Sequence, residues 1–107
     1  MNNSKINTLI DELKEAIQLT YSGFKGIYFF GSRNNDTWNE DSDVDILLAF
    51  DRDLSWQEKR SIKSDIYDIE LKYDYLIDAK IYKQSDIDNP ITPFREQVKN
   101  TSVFYAV

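Results

Sequence analysis

Two short apolar segments joined by a polar stretch place the strongest constraint on how this 107-residue chain can fold. The first ends in Phe29-Phe30 and runs directly into Gly31-Ser32-Arg33, and the second opens as Ser42-Asp43-Val44-Asp45 before a further apolar run. Apolar runs of this length, bounded by turn residues, predict buried strands. Because alternate residues of a strand point to the same side, we expect Asp43 and Asp45 to project together, away from Val44.

The residue types around these strands favour phosphate and metal chemistry. Neighbouring carboxylates repel each other, a divalent cation relieves that repulsion, and hard oxygen ligands suit magnesium. Gly31 allows a phosphate-sized group to approach the backbone closely, because it has no Cβ. Ser32 adds a hydroxyl donor and Arg33 a guanidinium that can reach phosphate oxygens. This combination predicts a site for a magnesium nucleotide.

The spacing of these residues resembles the G-S-x(10)-D-x-D pattern of the nucleotidyltransferase superfamily that includes DNA polymerase beta. Within it, the chain is similar to the minimal nucleotidyltransferase (MNT) family of small prokaryotic proteins, whose usual form is G-S-R-A-R-G, a short loop and S-D-x-D-[IL]. Asn34-Asn35-Asp36 stands where that family has Ala-Arg-Gly. The positions that match in register are Gly31, Ser32, Arg33, Ser42, Asp43, Asp45 and Ile46.

The resemblance implies nucleotidyl transfer from ATP or another nucleoside triphosphate, with two magnesium ions bridged by Asp43 and Asp45. Gly31 and Ser32 would hold the β- and γ-phosphates, with Ser42 also among the nucleotide-binding residues. Arg33 would be a second phosphate contact, and an ion pair with Glu40 or Asp41 is the alternative that stays open for it.

A third carboxylate is expected from a third strand, over residues 72–83. The superfamily takes its last metal-binding carboxylate from a strand beside the one that carries the first two. Asp78 lies in the middle of this strand, in an Ile-Asp-Ala-Lys-Ile context, and is the residue we select as metal ligand and acceptor of the attacking hydroxyl's proton. Asp74 is the second choice, and the alternative role for Asp78 is an ion pair with Lys80 or Lys83.

Composition narrows the functional classes. The chain has no histidine and no cysteine, which excludes imidazole bases, serine–histidine triads, thiolates and disulfides. A net charge of −6 argues against a groove for duplex DNA or RNA. No apolar stretch is long enough to span a membrane and the N-terminus is polar, so we expect a soluble cytoplasmic protein. Its length predicts a single domain over residues 1–107.

The order of elements predicts an α/β (α+β) fold, a small sheet with helices packed on it. The resemblance implies the small mixed sheet of the polymerase beta-like nucleotidyltransferase fold. We expect a helix over 4–21, strands over 26–30 and 43–50, a helix opened by the capping box Ser55-Trp56-Gln57-Glu58, the strand over 72–83, a loop over 86–92 and a short helix after Thr92. The apolar tail over 103–107 is expected to pack on the domain's own sheet or to contact a partner, and both alternatives stay open.

Two functional hypotheses follow. In the first, the chain is an active transferase, and because no second domain is present to bind an acceptor, we expect the acceptor to come from another chain. The resemblance to the MNT family implies an antitoxin that adenylylates a helical HEPN-type ribonuclease toxin. In the second, it is a non-catalytic antitoxin or scaffold that binds its partner, which the altered Asn34-Asn35-Asp36 segment and the apolar tail favour. A third and weaker hypothesis is transfer to a small molecule. Formation of a homo-oligomer is a separate alternative that stays open.

Overall fold

The computed structural model describes residues 4–30, 44–89, 92–93, 96 and 102–107. Among these residues no helix has the length and apolar character needed to cross a bilayer. The elements follow the order α1 (Ser4–Thr20), β1 (Phe24–Phe30), β2 (Val44–Phe50), α2 (Trp56–Tyr73), β3 (Ile77–Lys83), α3 (Gln84–Asp88) and β4 (Val103–Ala106).

The strands form one mixed sheet in the order β3-β2-β1-β4. β1 runs antiparallel to both β2 and β4, whereas β2 and β3 are parallel. Parallel neighbours need a crossover connection, and α2 supplies it. The predicted class, a mixed sheet with helices packed on it, is therefore confirmed.

The main core lies between the sheet and the two long helices. α1 presents a stripe at helical spacing, and every member of it is buried, as the sequence predicts. α2 contributes a second buried stripe, which packs with the first against alternate residues of β1 and β2. The two stripes consist of Ile6, Leu9, Ile10, Leu13 and Ile17 on α1 and of Ile62, Ile66 and Ile69 on α2.

The opposite face of the sheet has a smaller apolar cluster. Tyr28, Leu47 and Ala49 are buried there beneath Ile87 of α3, with Tyr82 partly buried beside them. The Gln84 amide at the start of α3 donates a hydrogen bond to the Tyr28 hydroxyl at 2.8 Å. Residues 84–88 therefore form a short helix where the sequence predicted a loop from residue 86, because Ile87 gains a buried position there.

The predicted strand over 72–83 is wrong in its first part. α2 continues through Tyr73, and Asp74 ends it in the left-handed conformation, with φ 58° and ψ 42°. Residues 72 and 73, assigned to the strand from the sequence, belong instead to a helix end held by α1, since Tyr73 and Lys72 both donate to the Glu12 carboxylate, at 2.8 Å each. These tertiary contacts outweigh the local β-pattern.

The C-terminal tail packs on the domain's own sheet, which is the first of the two alternatives predicted for it. It pairs with β1 as the edge strand β4, with Tyr105 opposite Ile27. Gly26 of β1 admits this close approach, because a Cβ there would lie 2.5 Å from the Tyr105 carbonyl oxygen. Val103, Phe104 and Val107 nevertheless stay 43–49% exposed. Of the predicted helix after Thr92, the described part shows the Glu96 N–H donating to the Thr92 carbonyl at 3.1 Å.

The start of α2 is fixed by the predicted capping box and by an ion pair. The Ser55 hydroxyl accepts from the Glu58 N–H, and the Glu58 carboxylate accepts from the Ser55 N–H. Arg52 adds two hydrogen bonds to that carboxylate, at 2.7 and 3.1 Å, and a third to the Ser22 carbonyl at 3.0 Å. One side chain thus connects the turn after α1 to the first turn of α2.

These bonds predict how acid affects stability. The Arg52 guanidinium, with help from the Ser55 N–H, lowers the pKa of Glu58 from 4.5 to about 2. A depressed carboxyl pKa contributes stability above the unfolded value, and this contribution is lost as pH falls through the folded value. Urea denaturation should show Glu58→Gln less stable than the wild type by a constant amount above about pH 5, with the difference shrinking between about pH 4.5 and 2.

The neighbouring Gln57→Ala variant is the control, because it removes no ionisable group from the same helical turn. Its difference from the wild type should not change with pH. A Glu58→Gln difference that stays constant down to pH 2 would contradict the role given to the Arg52 ion pair.

Candidate metal and nucleotide site

Two of the predicted metal ligands are cross-strand neighbours. The register of the parallel pair sets Asp45 of β2 directly opposite Asp78 of β3. Adjacent strands lie about 4.8 Å apart, and directly opposed residues point to the same face. Val44, Ile46 and Ala79, which alternate with the two aspartates, belong to the main core. Both carboxylates therefore project from the sheet face opposite the two long helices.

The end of β1 meets the same place. Phe30, the last residue of β1, is the register partner of Asp45. Gly31 follows Phe30 in the sequence, and Asp43 stands two positions before Asp45. Gly31, Ser32, Arg33, Ser42 and Asp43, the other predicted site residues, lie outside the residues that the structure describes.

The two candidates for the third carboxylate have different positions. Asp78 is within β3, in register with Asp45. Asp74 caps the C-terminus of α2, where its N–H donates to the Glu70 carbonyl at 2.8 Å, and has no pairing with β2. The register thus favours the first choice from the sequence, and Asp78 stays the predicted third ligand.

The alternative partner predicted for Asp78 is also present. The Lys80 ammonium lies 3.6 Å from the Asp78 carboxylate, and the two side chains are 40% and 55% exposed. Exposed pairs of this kind contribute about 0–1 kcal/mol, so the contact does not prevent Asp78 from binding a cation. Lys83, the other candidate partner, pairs instead with Asp53 at 3.6 Å.

The structure adds Lys80, which the sequence suggested only as an ion-pair partner of Asp78, to the candidate site residues. Lys80 stands two positions after Asp78 on the same strand, so its side chain leaves the same face as the carboxylates. An ammonium group beside the Asp78 carboxylate can contact phosphate oxygens that a bound metal brings to the site. The sequence could have indicated this position of Lys80, because alternate residues of β3 share a side of the sheet and Lys80 is two positions after Asp78.

The donor set fits a hard divalent cation. Asp45 and Asp78 offer carboxylate oxygens, which are the ligands that magnesium prefers. The chain has no histidine or cysteine that would favour zinc or copper. Within the described ranges no group of three or more candidate ligands gathers, and the third predicted carboxylate, Asp43, falls in the gap between residues 30 and 44. Two carboxylates at adjoining strand starts are an arrangement suited to binding a metal nucleotide for phosphoryl or nucleotidyl transfer.

Comparison with known proteins defines the family. The model of the family "Polymerase beta, Nucleotidyltransferase" matches residues 11–103, which is most of the chain. A candidate protein adenylyltransferase of Methanocaldococcus jannaschii is 31% identical over 100 residues, which cover 92% of this chain and 97% of the relative. The chain therefore belongs to the polymerase beta nucleotidyltransferase family, and its resemblance to the minimal nucleotidyltransferases is consistent with that assignment.

Solved structures share the fold. A candidate nucleotidyltransferase from Sulfolobus solfataricus superposes with a TM-score of 0.61 at 18% identity, over 96% of this chain and 83% of that one. A chain of a mutant toxin–antitoxin MntA–HepT crystal structure superposes with a TM-score of 0.59 at 16% identity, over 97% and 72% of the two chains. At these identities the likeness concerns the fold.

The paired carboxylates predict a stabilising effect of magnesium. A cation that binds the folded chain and not the unfolded one raises the melting temperature. Adding millimolar Mg²⁺ and a nucleoside triphosphate should raise the melting temperature of the wild type by several degrees, on the order expected for about 1–3 kcal/mol of linked binding. Asp45→Asn and Asp78→Asn should each abolish most of that increase.

Asp53→Asn is the matched control, because Asp53 is an exposed aspartate that pairs with Lys83 at the far end of β3. It should respond to magnesium as the wild type does. An equal increase in all three variants would mean that the cation binds elsewhere.

Proposed function

We propose that this chain is a magnesium-dependent nucleotidyltransferase that transfers AMP from ATP to a hydroxyl group of a protein partner. The observation that carries the proposal is the register of the parallel strands, which pairs Asp45 with Asp78 at the end of the sheet where β1 ends. Family membership supports the reaction class. The name of the Methanocaldococcus jannaschii relative supports a protein as the acceptor.

The chain's own residues have distinct roles in this proposal. The metal would be held by Asp45 and Asp78, together with Asp43, which is two positions before Asp45. Gly31 and Ser32 would bind the triphosphate. Bound magnesium would polarise the α-phosphate, favour ionisation of the attacking hydroxyl and neutralise the leaving pyrophosphate. The new bond joins the acceptor oxygen to the α-phosphorus, and the bond from that phosphorus to the bridging oxygen of the β-phosphate breaks.

A proton must leave the acceptor hydroxyl during this reaction. Asp78 is suited to accept it, because its side chain is 55% exposed and can therefore be reached by an acceptor from solvent. Lys80, 3.6 Å from that carboxylate, would balance the charge as pyrophosphate departs. No histidine is present to take either part.

The proposed partner is a helical HEPN-type protein. The sequence resemblance to the MNT family implies such a partner, and the fold shared with a chain of a toxin–antitoxin structure is compatible with it. One observation favours the alternative of a partner-binding module without catalysis. Val103 and Phe104 stay 48% and 43% exposed even though β4 is paired with β1, so the tail offers an apolar contact surface.

A label-transfer assay distinguishes the two. The pure chain is incubated with magnesium, lysate of the source cell and each of the four nucleoside triphosphates labelled at the α-phosphate. The wild type should label a protein, with ATP as the best donor. Asp45→Ala and Asp78→Ala should reduce labelling by at least about 100-fold, since loss of a residue that merely orients a metal ligand costs roughly 10–100-fold.

Asp53→Ala serves as the control and should label at the wild-type rate, because Asp53 lies at the other end of the strand pair. Labelling that survives Asp45→Ala would overturn the transferase proposal. Absence of labelling by any nucleotide, with a partner still bound through the tail, would favour the non-catalytic module.

A further inference from the structure

The C-terminal end of α2 forms an open groove that the proposed reaction does not use. Its volume is about 210 Å³, and we call it the α2 groove. The apolar part of its lining is unusually exposed for a small domain, with Tyr67 at 58%, Leu71 at 65% and Leu76 at 67%. The lining residues are Tyr67, Glu70, Leu71, Asp74, Tyr75 and Leu76.

These exposed side chains form a cluster and are not scattered. Tyr67 and Leu71 are four positions apart, one turn of α2, so they stand on the same side of the helix. The buried stripe of the helix, which ends at Ile69, faces the sheet instead. An apolar cluster of this kind on a small soluble domain is typical of an interaction surface.

The α2 groove lies at the end of the sheet that carries the candidate site. The Leu76 carbonyl accepts a hydrogen bond from the Val44 N–H at 2.8 Å, and Val44 directly precedes Asp45. Leu76 is two residues before Asp78, a separation of roughly 7 Å along an extended chain. The carboxylates project from the face away from α2, but β3 is the edge strand of the sheet. A protein segment seated in the groove could therefore continue past Leu76 and around this edge to Asp78.

The size and charge of the groove indicate its occupant. Pockets that bury a drug-sized small molecule have volumes of about 300–1,000 Å³, so a groove of 210 Å³ suits one or two side chains. Glu70 and Asp74 line it, and within the part of the chain that the structure describes neither pairs with a lysine or arginine. Two carboxylates repel a triphosphate and attract a cationic side chain.

The backbone holds part of this charge in place. The Glu70 carboxylate accepts a hydrogen bond from the Ile77 N–H at 2.7 Å, which fixes its position in the lining of the groove. The chain's own Lys5 ammonium already lies over the Tyr75 ring, 4.9 Å from its centroid. The attraction for a basic partner would therefore come from Glu70 and Asp74. Because the chain has a net charge of −6, a second copy would add repulsion at an acidic surface, whereas a basic partner would gain attraction.

We propose that the α2 groove is the docking surface for the acceptor protein, and that its occupant is a segment with apolar side chains flanked by lysine or arginine. This proposal rests on the proposed transferase function, since it names the surface that would bring the acceptor hydroxyl to Asp78. Residues Tyr67, Leu71 and Leu76 would bind the apolar side chains, and Glu70 and Asp74 the basic ones.

Two synthetic helical peptides test the chemistry of the groove directly. Both have leucines at helical spacing, and they differ only in having lysine or glutamate at the remaining positions. In an NMR titration of the ¹⁵N-labelled chain, the lysine peptide should shift the amide signals of residues 67–76 and bind at least tenfold more tightly than the glutamate peptide. The Tyr67→Ser/Leu71→Ser double variant should weaken binding at least tenfold.

Leu19→Ser is the matched control, because Leu19 is an exposed leucine near the end of α1, 80% accessible and outside the groove. It should bind the lysine peptide as the wild type does. Shifts centred on other residues, or equal binding of the two peptides, would overturn the proposal. So would a wild-type dimer in sedimentation that the double variant converts to a monomer, because a second copy would then occupy the groove.

The label-transfer assay separates this proposal from the proposed function. The double variant should lose at least tenfold in protein labelling and keep its affinity for magnesium nucleotide, whereas Asp45→Ala should lose labelling and keep its affinity for the lysine peptide. Full labelling by the double variant would overturn the groove proposal alone. Absence of labelling by the wild type would overturn the transferase proposal, and the peptide titration would then decide whether the groove binds basic partners.

Discussion

The parallel pairing of β2 with β3 is the constraint on which the rest of this structure depends. Parallel strands start at the same end of a sheet, so residues early in each strand become neighbours although they are far apart in the sequence. Asp45 and Asp78 are brought together in this way across a separation that includes the whole of α2. A shift of one residue in the register would send one of the two carboxylates to the opposite face.

Contacts at both ends of α2 help to fix that register. At its start, the capping box and the Arg52–Glu58 ion pair set where the helix begins. At its end, the Glu70 carboxylate accepts a hydrogen bond from the Ile77 N–H, which is the first N–H of β3. Between these points the buried isoleucines hold the helix against the sheet. Helix, turn and strand thus form one connected unit whose geometry determines where Asp78 stands.

The sequence predicts the parts of this unit that depend on local pattern. The apolar stripes of both helices, the capping box at Ser55 and the second strand from Val44 onward follow from spacing alone, and the structure confirms them. The end of α2 could not be predicted, because the tyrosines at 73 and 75 suit a strand as well as a helix and contacts with Glu12 decide between them. The α3 helix was missed for a similar reason, since tertiary contacts favour it: Ile87 packs in the cluster with Tyr28 and Leu47, and Gln84 donates a hydrogen bond to Tyr28.

The candidate site, too, was only partly predictable from the sequence. Local pattern and family resemblance identify the carboxylates one by one, but their adjacency is a property of the sheet, which a sequence does not state. The α2 groove could not be predicted from the sequence. Leu71 and Leu76 line one groove only because the turn after α2 brings them together. The charged side chains follow the same geometry. The two carboxylates proposed to bind the cation lie at one end of the sheet, and the α2 groove, with its own two carboxylates, lies next to that end.

We propose that Asp45 and Asp78 together hold the metal for nucleotidyl transfer. Anomalous diffraction is the most direct test of this role. Crystals of the chain grown with Mn²⁺ and a non-hydrolysable ATP analogue should show an anomalous peak at about 2.0–2.3 Å from carboxylate oxygens of both residues, since manganese shares the oxygen-ligand preference of magnesium. A peak bound to neither carboxylate, with the nucleotide ordered elsewhere, would contradict the account.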